Sequence, residues 1–237
     1  MAAPGYGVAF AGCLTLLPMT RSLEHRRYSR LNLSPFFQLL TAKAPPGVFN
    51  PWRDFDPETD LSRSAPKERL DRLAAHLTCK PRHILIGEAA GYQGCKVSGI
   101  PFTSERLINA GSIPRIVCSS RLTSRLRPWS EPSATTVWGT LHTLGIADET
   151  VLWNAYPWHP HKKDNPHSNR TPTPAEREAG VPVLRAFLGL FRNARAFAVG
   201  RNAEAALGEL DIPATALRHP SMGGATQFRQ QLSRTVS

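Results

Sequence analysis

One stretch of the chain, residues 83–102, limits the possible folds more than any other. It begins with an apolar run, residues 84–86, that is typical of a buried parallel strand. It continues as a loop with four glycines, Gly87, Gly91, Gly94 and Gly99. Open α/β sheets place their ligand sites where a buried strand opens into such a loop. The alternative is a plain β–α connection in which the glycines only permit turns.

Strands and helices alternate along the rest of the chain. Three further apolar runs predict strands at residues 151–156, 196–199 and 214–217. Helical patterns flank them at residues 66–77, 103–110, 131–144, 173–191 and 202–207 and around Phe228 and Leu232. Within residues 173–191, Pro182 predicts a kink or a restart of the helix. The alternation predicts an α/β fold, a parallel sheet with helices on both faces and right-handed crossovers.

The first 45 residues differ from this pattern. The apolar segment 7–19 contains Pro18 and has no positive charge before it, so it fits a signal peptide poorly and is too short to span a membrane. Pro45-Pro46-Gly47 marks a boundary. We therefore expect residues 1–45 to be a leader, disordered or upstream of the true start, and residues 46–237 to be a single domain.

The chain is strongly basic, with a formal net charge of +11 at pH 7. Most of the excess is arginine, which suits bidentate phosphate contacts and favours a polyanionic partner such as DNA. Four arginines, Arg115, Arg121, Arg125 and Arg127, lie in a segment without helical or strand period. This segment is either a phosphate-contact loop or a solvated surface loop.

The four cysteines, Cys13, Cys79, Cys95 and Cys118, form no C-x-x-C pair and no Cys/His cluster with zinc spacing. Free thiols in a reducing compartment are expected. The sequence thus predicts no metal and no other cofactor, and we expect a cytoplasmic, nucleoid-associated protein without a membrane partner.

The predicted strands end in polar groups. Glu88, Asn154, Gly200 and His219 follow or end the four strands, and parallel strands deliver such residues to one sheet edge. Asn154 can read a pyrimidine edge, and the exposed-looking Phe102 can stack on a base. His219 can donate to an oxygen that gains negative charge, and Glu88 can orient water or stabilise a cation. Taken singly, each residue also fits a structural role: Asn154 or Glu88 as a cap, Phe102 as core, His219 as a loop histidine.

At these residues the chain resembles the uracil-DNA glycosylase superfamily. Gly87-Glu88-Ala89-Ala90-Gly91 is similar to the G-E-A-P-G motif of its iron–sulphur branch, and Gly99-Ile100-Pro101-Phe102 to that branch's G-x-P-F. Asn154 with residues 169–173 resembles the N…N-R-x-P-T block, and residues 219–221 resemble the superfamily's H-P-S loop. Order and spacing agree from about residue 80 to the C-terminus.

Two departures from the motifs bear on chemistry. The cysteine of the branch's K-C-R-P-P segment is missing, because Tyr156-Pro157-Trp158 occupies that region, so we expect the cluster to be lost. The aspartate that activates water in the best-known branch is replaced by Ala89. Catalysis would then need Glu88 to orient water, or strong stabilisation of the leaving group without a base.

The resemblance implies a three-layer α/β/α sandwich with a central four-stranded parallel sheet, acting on uracil in DNA as a monofunctional glycosylase and a monomer. A flipped nucleotide would contact Gly87 and Ala89, stack on Phe102 and bond to Asn154. Catalysis would fall to Glu88, His219 and Asn154. Tyr92 would exclude the thymine methyl group or only pack. The residues expected to contact DNA are Arg121, Arg125, Arg170, Ser221 and the apolar wedge Met222.

Two other functions stay open. Ala89 and the arginine-rich segment are compatible with a non-catalytic or slow protein that grips uracil or abasic sites, although the K-R-R-I-H signature of a covalent-trapping branch is missing. A base-nonspecific DNA-binding module would bind with steep salt dependence and no preference for uracil over thymine.

Overall fold

A computed structural model of the chain describes residues 31–117 and 121–236. The strands in these ranges are β1 (Val48–Phe49), β2 (His83–Ala89), β3 (Thr150–Tyr156), β4 (His159–Pro160), β5 (Arg195–Val199) and β6 (Thr215–Leu217). The helices are α1 (Ser34–Leu40), α2 (Ala65–Leu77), α3 (Cys95–Ser98), α4 (Glu105–Asn109), α5 (Pro132–Thr143), α6 (Pro174–Leu190), α7 (Arg201–Gly208) and α8 (Ala225–Val236), with a 3₁₀ turn at Ala147–Glu149.

Four of the strands form the predicted parallel sheet, in the order β3-β2-β5-β6. Strand β2 pairs on one side with β3, where Gly87 lies opposite Asn154, and on the other side with β5, where Ile86 lies opposite Ala198. Because all four strands run in the same direction, their carboxyl ends meet at one edge. The prediction that the strand-end residues share this edge is confirmed.

The sheet separates two apolar layers. Successive side chains of a strand point to opposite faces, so Trp153 lies in one layer and its neighbour Leu152 in the other. Helices α1, α2, α6 and α7 contribute to the Trp153 layer, in which Phe187 stacks on Trp153 at 4.6 Å between ring centroids. Helices α4, α5 and α8 cover the Leu152 layer. This is the three-layer arrangement that the sequence predicts.

The boundary predicted at residue 45 needs a correction. Helix α1 lies inside the expected leader, and its Phe36 and Leu40 are buried in the Trp153 layer. Asn50 ties the end of this segment to the domain by donating to the carbonyls of Leu40 and Ala42. Residues 31–45 are thus part of the folded domain, whereas residues 1–30 lie outside the described residues.

Helix α6 is also more regular than predicted. It is one continuous helix through Pro182, without the expected restart. Proline removes one hydrogen bond to the preceding turn, but Pro182 lies on the exposed side, where water can satisfy the freed carbonyl. Its start is the predicted capping box: Glu176 N–H donates to Thr173 Oγ1, and Thr173 N–H donates to Glu176 Oε2.

Two buried ion pairs stabilise the glycine-rich loop between β2 and α4. Arg69 on α2 donates to both carboxyl oxygens of Asp60, at 2.7 and 2.9 Å. Lys96 on α3 donates to Asp56 at 2.5 Å. Burial alone would raise the pKa of Asp56, but its hydrogen bonds with Lys96 and Thr59 and the Lys96 charge lower it to about 2. All four charged side chains are nearly inaccessible to solvent, so each depends on its partner.

Helix α3 lies in the loop that the sequence presented as irregular. Gly99 ends α3 with φ +81°, and a Cβ there would lie 2.5 Å from the carbonyl oxygen of Arg69. Glycine is therefore required where α3 crosses α2. Within the described ranges, no helix combines the length and apolar character needed to cross a membrane.

Candidate active site

A cavity of about 440 Å³ opens at the carboxyl edge of the sheet. Glu88 near the end of β2, Phe102 after α3, Asn154 on β3 and His219 after β6 all line it. These four side chains come from separate chain segments, and the parallel sheet brings them together. We call them the strand-end wall of the cavity.

Gly87 makes this wall possible. A Cβ at Gly87 would lie 2.6 Å from the Phe102 ring and 2.9 Å from the Asn154 amide. No side chain larger than hydrogen fits there, so the phenyl ring can lie directly over the end of β2. Phe102 is only 7% exposed, which corrects its exposed appearance in the sequence. Its backbone has φ +50°, an uncommon conformation for a non-glycine residue, and its ring centroid lies 6.1 Å from that of His219.

Asn154 is 3% exposed and has hydrogen-bonding capacity to spare. In the orientation that satisfies its neighbours, its amide oxygen accepts from Ala90 N–H at 3.3 Å and its amide nitrogen donates to the Trp153 carbonyl at 3.2 Å. One amide hydrogen and one oxygen lone pair are left over. Because Asn154 lines the cavity, one donor and one acceptor are available there, a pair that suits the polar edge of a planar base.

His219 is held as a neutral donor. Ser221 N–H donates to its Nδ1 at 3.1 Å, so Nδ1 is an acceptor and the ring proton is on Nε2. Burial lowers the pKa of His219, the Arg218 charge lowers it further, and Glu88 opposes both effects. Gly200 has φ +93°, and a Cβ there would lie 3.0 Å from His219 Cβ, so glycine leaves room for this loop.

Glu88 borders the same space with one free oxygen. Its Oε1 is buried and has no hydrogen-bond partner in the described part of the chain. Ala89 and Ala90, which follow it in the chain, also line the cavity, as do Arg201 and Asn202 at the start of α7. A carboxylate in this position can accept a proton from a water molecule or lie near a developing positive charge.

Tyr92 does not line the cavity. Its ring packs edge-on against Trp129, with centroids 5.8 Å apart, and against His167 at 6.5 Å. Its backbone N–H donates to Asn169 Oδ1 at 3.0 Å. Of the two roles expected for Tyr92, the geometry agrees with packing and not with contact to a base in the cavity.

The three arginines predicted to contact DNA differ in what their guanidinium groups already contact. Arg170 lines the cavity, but its guanidinium is paired bidentately with Glu176 at 2.7 and 2.6 Å. Arg121 donates to the carbonyls of Arg125 and Leu126, which shapes its own loop. Arg125 lies over Trp129, 4.4 Å from the ring centroid, and is exposed.

For Arg115, the expectation of a phosphate contact is wrong. Its guanidinium donates to three carbonyls, those of His76, Asp148 and Thr150. Burial lowers its pKa. Arg115 therefore joins elements inside the fold.

Met222, the residue expected to act as an apolar wedge, is 91% exposed in the loop that carries His219. It follows Ser221 directly and has φ +51°.

The cavity also contains a residue that sequence reasoning missed as a site residue. Glu131 precedes α5 and reads as part of a helix start, yet its side chain makes no capping hydrogen bond. Instead its carboxyl group lines the cavity with Ser133 and Asn169. The one signal in the sequence is weak: glutamate is a poorer N-cap than serine, threonine or aspartate.

A metal site does not fit the described residues. No three His, Cys, Asp or Glu side chains are grouped closely enough there to hold a metal ion. Tyr156 and Trp158 are buried and pack edge-on where the resembling branch has a cluster cysteine. Cys79 and Cys95 are free buried thiols, and Cys13 and Cys118 lie outside the described residues. An iron–sulphur cluster needs four convergent ligands, which the described residues do not supply.

Comparisons with known proteins agree with this geometry. The family model of the uracil DNA glycosylase superfamily matches residues 75–234. A crystal structure of wild-type SMUG2 from Pedobacter heparinus superposes with a TM-score of 0.55 and 17% sequence identity, covering 83% of this chain and 90% of that one. No curated protein sequence matches significantly. Because the family model covers more than half of the chain, this protein belongs to the uracil-DNA glycosylase superfamily and is a DNA glycosylase, a hydrolase of N-glycosyl bonds.

Proposed function

We propose that this glycosylase removes uracil from DNA by hydrolysing the bond between uracil N1 and the deoxyribose C1′, leaving an abasic site. One observation carries the proposal: Glu88, Phe102, Asn154 and His219 line a single cavity although they come from four chain segments. A base inside a duplex cannot reach such a cavity, so the nucleotide must be extruded first.

The cavity has the groups needed to recognise the extruded base. Phe102 offers a flat ring for stacking, and Gly87 allows it to lie against the end of the strand. The free amide hydrogen of Asn154 suits uracil O4, and its free oxygen lone pair suits uracil N3–H. Cytosine presents the opposite pattern of donor and acceptor at these two positions, so this contact favours uracil over cytosine.

The chemistry follows from charge separation during bond breakage. As the C1′–N1 bond breaks, its electron pair moves to uracil and the sugar becomes an oxocarbenium-like cation. The Nε2–H of His219 donates to uracil O2, where the negative charge collects. The Glu88 carboxylate stabilises the cationic sugar and accepts a hydrogen bond from the attacking water. The water oxygen bonds to C1′, one of its protons leaves through Glu88 to solvent, and the uracil anion takes up a proton from solvent.

The surface around the cavity suits DNA. Met222, which follows Ser221, is exposed, and this exposure supports a role in filling the gap left by the extruded nucleotide. Arg201 lines the cavity and Arg125 is exposed over Trp129, so both carry positive charge that suits contacts with phosphate groups of the strand. Arg170 is a weaker candidate for such a contact, because Glu176 already occupies its guanidinium.

The test is a strand-cleavage assay. A single-stranded or duplex oligonucleotide with one uracil is incubated with the protein and then treated with alkali, which breaks the backbone at abasic sites. We expect cleavage at the uracil and none at thymine. Absence of cleavage on both substrates, together with stable complexes in a gel shift, would replace this function with the alternative of a binding protein for uracil or abasic sites.

A further inference from the structure

Two loops of this protein carry a large apolar side chain that is almost fully exposed. Leu126 is 93% exposed and Met222 is 91% exposed, and no other large apolar side chain of the described residues is exposed to this extent. The proposed function uses Met222 but not Leu126. A single exposed leucine is common on protein surfaces, but the loop that carries Leu126 differs from an ordinary surface loop in its anchoring, its charge and its position.

The loop is anchored on both sides to one buried carboxylate. Glu105, at the start of α4, is 1% exposed. Its carboxyl oxygens accept hydrogen bonds from Leu122 and Thr123 before the exposed part of the loop and from Trp129 after it, at 2.7 to 3.3 Å. Residues 124–127 between these anchors are exposed, and we call them the tip. Glu105 thus holds the two ends of the tip in place.

Hydrogen bonds also hold the backbone of the tip, whereas they leave the Leu126 side chain free. The Arg121 guanidinium donates to the carbonyls of Arg125 and Leu126. The N–H of Ser124 donates to the carbonyl of Thr59 at 2.8 Å. The leucine is therefore presented on a pre-formed support, and burying it against a partner costs little further ordering of the chain.

The tip is positively charged. Arg125 and Arg127 flank Leu126, both are exposed, and no carboxylate of the described residues forms an ion pair with either. The sequence has no acidic residue between Glu105 and Glu131. An apolar side chain between two arginines suits a partner with anionic groups outside and apolar surfaces inside. Duplex DNA is such a partner, because its phosphates enclose stacked bases.

A series of contacts connects the tip to the cavity. The Arg125 guanidinium lies 4.4 Å from the centroid of the Trp129 ring, and Trp129 stacks on His167 with centroids 5.8 Å apart. Tyr92 packs edge-on against both rings, and its N–H donates to Asn169, which lines the cavity. We therefore expect a duplex with one nucleotide in the cavity to reach the tip.

We propose that Leu126 is a second wedge, which inserts into the base stack of duplex DNA while Arg125 and Arg127 contact phosphates of the same duplex. Met222 fills the gap of the extruded nucleotide, and Leu126, on a separately anchored loop, unstacks a neighbouring base step and so lowers the cost of extrusion. The inference rests on the proposed function for the entry of a nucleotide into the cavity. Leu126 touches no reacting atom and is a positioning residue.

The first experiment compares uracil excision from single-stranded and duplex oligonucleotides of the same sequence in single turnovers. Leu126→Ala should process the duplex about tenfold more slowly, because burial of the leucine side chain is lost. It should process the single strand at the wild-type rate, because there is no base stack to open. Leu126→Met keeps an apolar side chain of similar size and should retain the duplex rate, whereas the polar Leu126→Gln should not.

Leu39→Ala is the matched control, because it truncates a partly exposed leucine on α1, and it should retain both rates. A duplex rate that Leu126→Ala leaves unchanged would overturn the proposal, and so would equal slowing on both substrates. Failure of the wild type to release uracil from either substrate would instead count against the proposed function, and insertion is then tested by binding alone.

The binding experiment detects insertion without catalysis. The duplex contains a stable abasic-site analogue, and 2-aminopurine, whose fluorescence rises when it is unstacked, is placed in turn at each neighbouring position. At saturating protein, the wild type should cause a rise at one position that Leu126→Ala loses and Met222→Ala retains. The same rises for the wild type and Leu126→Ala would refute insertion by Leu126. Loss of one and the same rise in both variants would place the two side chains in one gap and overturn a separate second wedge.

Discussion

Buried charged groups occur in two regions of this protein. In one region they are paired, and in the other they are not fully paired. Beneath the glycine-rich loop, Arg69 pairs with Asp60 and Lys96 with Asp56, and each carboxylate accepts further hydrogen bonds. In the cavity above the loop, Glu88 and Glu131 each leave one buried oxygen without a partner in the described chain. Both regions contact the same loop, the first through Lys96 and the second through Gly91 and Gly94.

The difference separates structural from functional use of charge. A buried charge costs free energy unless it is paired, so a folded protein keeps unpaired polar groups mainly where a ligand or a reaction will use them. The pKa values follow the same division: hydrogen bonds and the Lys96 charge lower the pKa of Asp56 in spite of burial, whereas burial raises the pKa of Glu131 and only the Ser133 hydrogen bond opposes it. Four substitutions test this comparison.

The largest effect is expected for Arg69→Met. It leaves Asp60 buried without its partner and removes donors to the carbonyls of Pro51 and Asp54. The free energy of unfolding, measured by urea denaturation, should fall by about 3–5 kcal/mol. Lys67→Met on the same helix breaks an exposed pair with Asp71 and should change it by less than about 0.5 kcal/mol. Similar losses in both variants would show that the buried pairs are not what supports the loop.

His219→Ala should affect activity and spare stability. Removing the Nε2–H donor should slow uracil release by about 100-fold to 1,000-fold. The urea midpoint should stay close to that of the wild type, because His219 is only half-buried and packs in a loop. His142→Ala, at an exposed histidine on α5 outside the cavity, is the control and should retain the wild-type rate. A normal rate for His219→Ala would remove this residue from the mechanism.

Glu131→Gln should change how stability depends on pH. The folded state holds a proton on Glu131 from about pH 4.5, its ordinary pKa, up to about 7, so wild-type stability is highest below this range and declines as the pH rises through 7. Glutamine does not titrate. The variant should therefore gain about 3 kcal/mol relative to the wild type between pH 4 and pH 8 in denaturant titrations. A constant difference across this range would mean that Glu131 has an ordinary pKa.

The smallest effect is expected for Met222→Ala. The side chain is almost fully exposed and contributes nothing to the core, so the free energy of unfolding should be unchanged. If Met222 fills the gap left by an extruded nucleotide, duplex substrates should be processed a few-fold more slowly and single-stranded ones at the wild-type rate. Equal slowing on both would assign Met222 to another contact.

Much of the candidate site could be predicted because it depends on local sequence. Glu88 and Asn154 end apolar runs, and the direction of parallel strands alone brings such ends together. Gly87 and Gly200 mark close approaches that only glycine permits. Helix α1 was missed because the apolar segment before Pro45 is short and lacks a cap, and what holds it is distant packing of Phe36 against Trp153.

The arginines show where local sequence fails. Arg115 and Arg125 read alike in the sequence, yet the Arg115 guanidinium donates to three carbonyls inside the fold, whereas Arg125 is exposed and lies over the Trp129 ring. The carbonyls that accept from Arg115 come from segments 33 to 39 residues away along the chain, whereas Trp129 lies only four residues after Arg125. Charge is a property of the residue, whereas availability of that charge depends on what packs around it.

The sequence by itself determined the order of strands and helices, the parallel sheet and the set of polar groups at its carboxyl edge, because hydrophobic periodicity and glycine positions are local. Only the tertiary structure decided that Tyr92 packs outside the cavity, that Arg170 is already paired and that one carboxyl oxygen of Glu131 is buried without a partner in the described part of the chain. The reason is physical: burial, and with it protonation state and hydrogen-bonding capacity, arises from segments that meet only after the chain has folded.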